Sequence, residues 1–322
     1  MTFNTIISGD LNQAVQFLKQ GDIIGIPTET VYGLAANALN ADAVVKIFEA
    51  KNRPFLDPLI VHIHNAGQVS KYVSEFNDKA KLLADKFWPG PLTLLLPKNN
   101  LIPDLVTSGL DRVALRVPNH KLTLELLSRL EFPLAAPSAN PFGYISPTAP
   151  YHVLAQLNGR LPMILDGGLC SIGLESTIVG FEDNDPVIYR LGGITKEAIE
   201  AVVGVIKIAE QKPATIQNPG MLETHYSPRK PLIFGNMSEN INKFHRSEIG
   251  LICFKEPRHD LLPEQQMVLS PTGNLNEAAK NLFAAMRTLD ASSMKVIIAE
   301  EFPEHGLGLA INDRLRRASF NN

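Results

Sequence analysis

Lys51-Asn52-Arg53-Pro54 puts two cations at the end of a helical run, just ahead of Asp57-Pro58-Leu59-Ile60-Val61-His62. Lysine offers a point charge and arginine a planar fork, so the pair could clamp a phosphate; the plain alternative is that both complement a helix dipole. Arg116 alternates with Leu115 and Val117 in RVALRVP, which aims it either at solvent or at a buried anion. Hydroxyls and amides gather at three more places. Thr28, Thr30 and Tyr32 in PTETVYGL follow the apolar run IIGI, and Ser138 and Asn140 in APSAN precede Gly143 and Ser146-Pro147-Thr148. Ser176 in GLEST leads into a strand, with Arg190 closing the next. Strand ends in α/β sheets are where ligands sit, and these groups suit ribose or phosphate oxygens, although ordinary turns use the same residues.

Absences narrow the chemistry. The chain has no G-x-x-x-x-G-K-[ST] loop and no strand–G-x-G-x-x-G–helix unit, so a nucleotide must be held without the two commonest phosphate cradles. H-E-x-x-H and spaced Cys/His pairs are missing too. His62 and His64 would share one face of a strand, where a structural histidine is the default. Cys170 and Cys253 are the only cysteines and fall in different expected domains, which argues against a disulfide framework or a zinc site. Both read as buried thiols, with Cys170 the one near the candidate site.

The elements that must position these groups follow from periodicity. DLNQAVQFLKQG, ADAVVKIFEAKN, DKAKLLADKF, KLTLELLSRL and TKEAIEAVVG have helical spacing. DIIGIPT, PLIVHIH, PLTLLLP, RVALRVP, PLAAPS, MILDGG, STIVGF and PVIYRL read as strands, so residues 1–207 form an α/β domain. The proline-rich stretch 208–231 has no sustained period and reads as an extended linker. In 232–322, LIFGN, IGLICF, MVLSP and KVIIAEEF alternate with helical runs near SENINKFHR, NLNEAAKNLFAAMRTLD and GLAINDRLRRAS. That pattern predicts a small, mostly parallel sheet flanked by helices.

Bulk properties set the class. With 322 residues, 45% hydrophobic and 20% charged, the chain suits two globular units. A net charge of -3 and a pI near 6.3 provide no broad basic surface, so direct RNA binding is not expected. No apolar run is long enough to span a bilayer, no signal-peptide pattern opens the chain, and a cytoplasmic location with no membrane partner is expected.

Taken in order, PTETVYGL, K-x-R-P, DPLIVHI, APSAN, SPT, GLESTIV and YRLGGIT resemble the family of threonylcarbamoyl-adenylate synthases named after YrdC and Sua5. PGMLETHYSP resembles the linker of the longer, Sua5-type members, and GLGLAINDRLRRA the end of their C-terminal domain. The resemblance implies a twisted open YrdC-like α/β catalytic domain, a linker able to act as a lid, and a small Rossmann-like C-terminal domain. It implies synthesis of threonylcarbamoyl-AMP and pyrophosphate from L-threonine, bicarbonate and ATP, with Mg2+ brought by ATP. The product would serve N6-threonylcarbamoyladenosine formation in tRNA, through a downstream tRNA threonylcarbamoyl transferase complex.

By motif position, the resemblance places a basic and polar tetrad at Lys51, Arg53, Ser138 and Asn140. It places threonine contacts at Thr30, His62, Arg116, Ala136 and Ser176, and ATP contacts at Arg53, Asp57, Arg112, Ser138, Ser146, Arg190 and Tyr226. The family often has Asn where this chain has Asp57 and Thr where it has Arg112. Asp57 would hold Mg2+ indirectly, pair with Arg53 or cap a turn, and Arg112 would reach the triphosphate or solvent. Two other readings compete: an RNA-binding module, and carbamoyl transfer from carbamoyl phosphate as in hydrogenase-maturation proteins.

Overall fold

A computed structural model describes residues 3–209 and 226–319; residues 210–225 of the expected linker lie outside the described residues. Two compact units emerge. The first comprises Met1–Phe142, Pro147–Ser171 and Glu175–Met221, and the second Gly143–Ser146, Ile172–Leu174 and Leu222–Asn322.

The first unit is built on an eleven-stranded mixed sheet. Its strands are β1 (Ile6–Ser8), β2 (Ile24–Ile26), β3 (Gly33–Asn37), β4 (Ile60–His62), β5 (Leu92–Pro97) and β6 (Arg112–Arg116), then β7 (Leu134–Ala135), β8 (Met163–Leu165), β9 (Thr177–Glu182), β10 (Asp185–Arg190) and β11 (Lys207–Ile208). Their spatial order is β1-β8-β2-β3-β7-β4-β6-β5-β9-β10-β11. Alternation along the central strands separates two faces. Val61, Leu94, Leu115, Val179 and Ile188 enter the main core with Val44, Ile47 and Phe48 of the helix Ala41–Lys51 and Leu83 of the helix Asp78–Phe87. Ile60, Leu95, Ala114, Ile178, Val187 and Tyr189 form a buried apolar strip on the opposite face.

Registration fixes what lies at the end of that strip. His62 pairs with Arg116 across β4 and β6, Ile60 with Ala114, and Thr93 with Ile178 across β5 and β9. His62 and Arg116 therefore share the strip's face, two residues beyond Ile60 and Ala114, and Thr93 joins them there by its alternation with Leu95.

Most sequence-read elements are present, with three differences. GLAAN is the strand β3, antiparallel to β2, where small residues without β-branching gave no strand signal. PLAAPS contributes only Leu134 and Ala135 to the sheet, because Pro137 lies next to the segment that turns away. His64 lies beyond β4, with its Nδ1 3.1 Å from the Leu124 carbonyl, so it does not continue the strand with His62. β1 and the helix Pro150–Leu157 are further elements that periodicity left unassigned.

The second unit is a four-stranded parallel sheet of β12 (Leu232–Phe234), β13 (Ile249–Cys253), β14 (Gln266–Val268) and β15 (Val296–Ala299), ordered β12-β15-β13-β14. Asn274 caps the helix Leu275–Ala291 by accepting from the Asn276 and Glu277 amides. In the helix Gly308–Ser319, Asn312 closes two hydrogen bonds with the Phe302 backbone, at 2.9 and 2.8 Å. Asp313 pairs with Arg314 at 2.6 Å and Arg317 at 3.1 Å. The fully buried Arg314 guanidinium lies 4.9 Å from the Tyr226 ring centre, and that ring stacks on Phe283 at 5.6 Å. The polar letters of AINDRLRR are thus structural fasteners.

Candidate active site

The segment after β2 is a tight turn held by its own hydroxyl. Thr28 Oγ1 accepts from the amides of Thr30 (3.1 Å) and Val31 (3.2 Å) and donates to the Val31 carbonyl at 2.6 Å. Glu29 stands on this turn, facing Arg116 from the end of β6. The Arg116 guanidinium donates Nε to the Gly90 carbonyl (3.2 Å) and Nη1 to the Thr30 hydroxyl (2.9 Å), and Nη2 lies 2.7 Å from Glu29 Oε1. All three side chains are buried. The last contact is an ion pair by distance but lacks hydrogen-bond alignment, which leaves both Glu29 oxygens and Arg116 Nη2 without a hydrogen bond.

Beside Arg116 in register, His62 is also buried, and its Nδ1 has no hydrogen-bond partner. Burial, with Arg116 adding to it, pushes the imidazole down to about 3, so it stays neutral near pH 7. Cys170 is buried near Glu29; burial and that carboxylate push its thiol up to about 12, so it is no nucleophile.

A second group surrounds the end of the helix Ala41–Lys51. Asn52 ends that helix in the left-handed conformation (φ 52°), turning Lys51 and Arg53 different ways. Lys51, 1% exposed, donates to the carbonyls of Ser138 and Asn140, both at 2.5 Å, while burial followed by Arg53 holds its pKa well below the lysine range. It thereby shapes the APSAN segment. Arg53 donates to the Asp57 and Pro58 carbonyls at 3.2 and 2.9 Å and pairs with Asp57 Oδ2 at 2.8 Å. Pairing with Arg53 is thus one of the three roles expected for Asp57. Ala136 donates its amide to Ile60 (2.9 Å), and Ser138 bridges Gly33 of β3, which joins this group to the strip.

The third group lies at the start of β9. Ser176 Oγ is 2.7 Å from Thr93 Oγ1, and Arg190 Nη2 donates to both the Ser176 carbonyl and hydroxyl at 3.0 Å. A Cβ on Gly192 would meet the Glu175 carbonyl at 2.3 Å, so only glycine lets this loop lie against Glu175 and Ser176.

The structure therefore gathers Thr30, His62, Arg116 and Ser176 at one end of the strip, with Arg190 on Ser176. Arg112 opens β6, four residues and about 13 Å from Arg116 on the same face, where its guanidinium meets the Tyr189 hydroxyl at 3.4 Å. Ser146 and Tyr226 belong to the second unit: the Ser146 carbonyl accepts from Arg287 Nε (3.3 Å), and Tyr226 takes a positive φ of 71° over Arg314. Sequence reasoning passed over Glu29 and Thr93. Their signals were a lone carboxylate in a turn of small and hydroxylic residues, and a lone hydroxyl in PLTLLLP.

The site sets a carboxylate and a guanidinium, Glu29 and Arg116, side by side, with further cations at Arg53 and Arg190. Two family models match the chain: residues 16–192 fit the Sua5/YciO/YrdC model described as "Telomere recombination", and residues 194–319 fit "Threonylcarbamoyl-AMP synthase, C-terminal domain". The threonylcarbamoyl-AMP synthase of Pyrococcus abyssi is 41% identical over 319 residues, covering 95% of this chain and 93% of that one. Its Bacillus subtilis counterpart is 42% identical over 319 residues, covering 95% and 92%. The crystal structure of Pyrococcus abyssi Sua5 complexed with L-threonine superposes with a TM-score of 0.90 at 40% identity, covering 98% of this chain and 97% of that one.

Proposed function

This chain belongs to the Sua5 family of threonylcarbamoyl-AMP synthases, and we propose that its site joins L-threonine, bicarbonate and ATP into threonylcarbamoyl-AMP with release of pyrophosphate. The observation that carries this reading is the buried Arg116, with Thr30 and the neutral His62 beside it, at the end of a face flanked by Arg53 just after its helix and Arg190 at the end of β10. The amine of threonine adds to CO2 derived from bicarbonate, and a carbamate oxygen attacks the α-phosphorus of ATP. Pyrophosphate leaves, and no protein nucleophile is needed. Such transfers rest on alignment and on neutralising developing charge.

In this reading Arg116 takes the threonine carboxylate, and Thr30, His62, Ala136 and Ser176 surround the rest of the amino acid. Arg53 and Arg190 face phosphate, Ser138 and Asn140 offer polar contacts on a loop that Lys51 holds in place, and Asp57 holds Arg53. Arg112, at the far end of the strip, would reach the triphosphate or solvent. Ser146 and Tyr226 complete the ATP contacts by resemblance.

Among the described residues no three His, Cys, Asp or Glu side chains form a metal cage, and Asp57 is engaged by Arg53. That donor set fits a Mg2+ ion carried in on the triphosphate, where it would neutralise phosphate charge. Two buried, unbridged thiols suit a reducing cytoplasm. Among the described residues no helix is long and apolar enough to cross a membrane. The labile adenylate would pass to a transferase acting on adenosine in tRNA.

The test is pyrophosphate release by the full chain with ATP, Mg2+ and bicarbonate, omitting each component in turn and replacing L-threonine by other amino acids. Release that needs both threonine and bicarbonate is expected. ATP binding without such release would sink the reading.

A further inference from the structure

Carbamate formation poses a problem that the residues assigned so far leave unsolved. Near neutral pH, threonine carries an ammonium group, which has no lone pair with which to attack carbon. One proton must leave before the C–N bond can form. His62, held neutral with a value near 3, and Cys170, near 12, are poor matches to that transfer.

Glu29 is placed for it. Its backbone is fixed by the Thr28 turn, and its carboxylate is 4% exposed. Neither oxygen receives a hydrogen bond, although Arg116 Nη2 lies 2.7 Å away. A buried carboxylate accepts several hydrogen bonds when it is satisfied, so this one is built for donors that the protein does not supply. Arg116 likewise keeps Nη2 without a hydrogen bond. A guanidinium and a carboxylate side by side, each with unmet hydrogen-bonding capacity, are the mirror image of an amino-acid zwitterion. The other titratable groups around Glu29, His120 and Cys170, are pushed toward their neutral forms by burial.

Resting on the synthase reading, we propose that Glu29 binds the ammonium group of threonine and accepts its proton, making Glu29 a catalytic residue. A proton passes from nitrogen to a Glu29 oxygen, freeing the nitrogen lone pair. The amine forms its C–N bond to CO2, and hydroxide set free as bicarbonate yields CO2 takes the second N–H proton as water. The sum is ammonium, bicarbonate and carboxylate giving carbamate, water and the carboxylic acid, which then loses its proton to solvent.

The alternative is that Glu29 merely offsets the charge of Arg116. The discriminating variant is Glu29→Gln, similar in shape and unable to take a proton. Its turnover should fall about 100-fold at pH 7. That deficit should shrink by about tenfold per pH unit as solvent supplies free amine, because the variant then needs no base. A deficit that stays flat with pH, or no deficit, would overturn the proposal.

A second measurement needs no variant. Calorimetry on the full chain compares threonine with its 2-hydroxy analogue, which lacks the ammonium group. Threonine should bind at least about tenfold more tightly, and equal binding would rule out an ammonium at Glu29. Either failure is separable from failure of the synthase reading, which is judged on threonine- and bicarbonate-dependent pyrophosphate release by the unaltered chain.

Discussion

Both units bury charge, but they finish the job differently. In the second unit Asn312 satisfies both Phe302 backbone groups, and Asp313 engages two arginines at 2.6 and 3.1 Å. Among the described residues, no buried side-chain polar atom of that unit lacks a hydrogen bond. In the first unit Glu29, His62 and Arg116 are as deeply buried, yet each keeps an atom without one. A completed buried network stabilises and specifies a fold; an incomplete one costs stability until water or a ligand supplies the missing partners. Burial of charge alone therefore does not mark a site; here the buried charges with unmet hydrogen-bonding capacity, Glu29 and Arg116, lie together with His62.

The largest effect should come from the cation nearest the proposed phosphate chemistry. Arg53→Ala is expected to lower pyrophosphate release by about 10³-fold or more while the far-ultraviolet circular dichroism stays native; near-normal turnover would break the division between reactive and structural charges. Asn312→Ala should do the reverse. Stranding the Phe302 amide and carbonyl should cost about 2–3 kcal/mol in urea unfolding, with turnover per folded molecule within about twofold of the parent. A large loss of turnover at full stability would mean that the fasteners are part of the site.

The third effect, comparable in size, concerns pH. The His62 imidazole sits at about 3 in the folded chain and near 6.5 in the unfolded one, so between those values the unfolded state binds the extra proton. Its contribution to stability is therefore complete above pH 6.5 and declines by about 1.4 kcal/mol per pH unit as pH falls toward 3. Unfolding measured from pH 7 to pH 4.5 should show a shallower decline in His62→Gln; identical slopes would mean that the ring is hydrated or partnered in solution.

Much of this was legible in the residues. The 3.6-residue spacing of ADAVVKIFEAK and DKAKLLADKF gave helices now seen at Ala41–Lys51 and Asp78–Phe87, and Leu115 and Val117 framed Arg116 as either solvated or aimed inward. Periodicity could not decide between those two, because the pattern is the same whether the polar face meets water or a closed interior; pairing with His62 across β6 and β4 decided it. Strand β3 escaped notice because Gly33 and its small neighbours leave room for Ala136, whose side chain a Cβ at Gly33 would approach to 3.2 Å. Glu29 was invisible for another reason: its partner lies 87 residues further along the chain, and a turn glutamate normally points to water.

The alternation that brings His62, Arg116 and Thr93 to one face has a bearing on how the chain reaches its native state. A one-residue slip of β6 against β4 would carry Arg116 into the apolar layer and Leu115 to the ligand side, dismantling the site while sparing most backbone pairing. An amino acid that binds there would favour only the correctly registered sheet, adding RT ln(1 + [L]/Kd) to its stability. The substrate would then act as a proofreader of strand registry, assisting the maturation of the enzyme that consumes it.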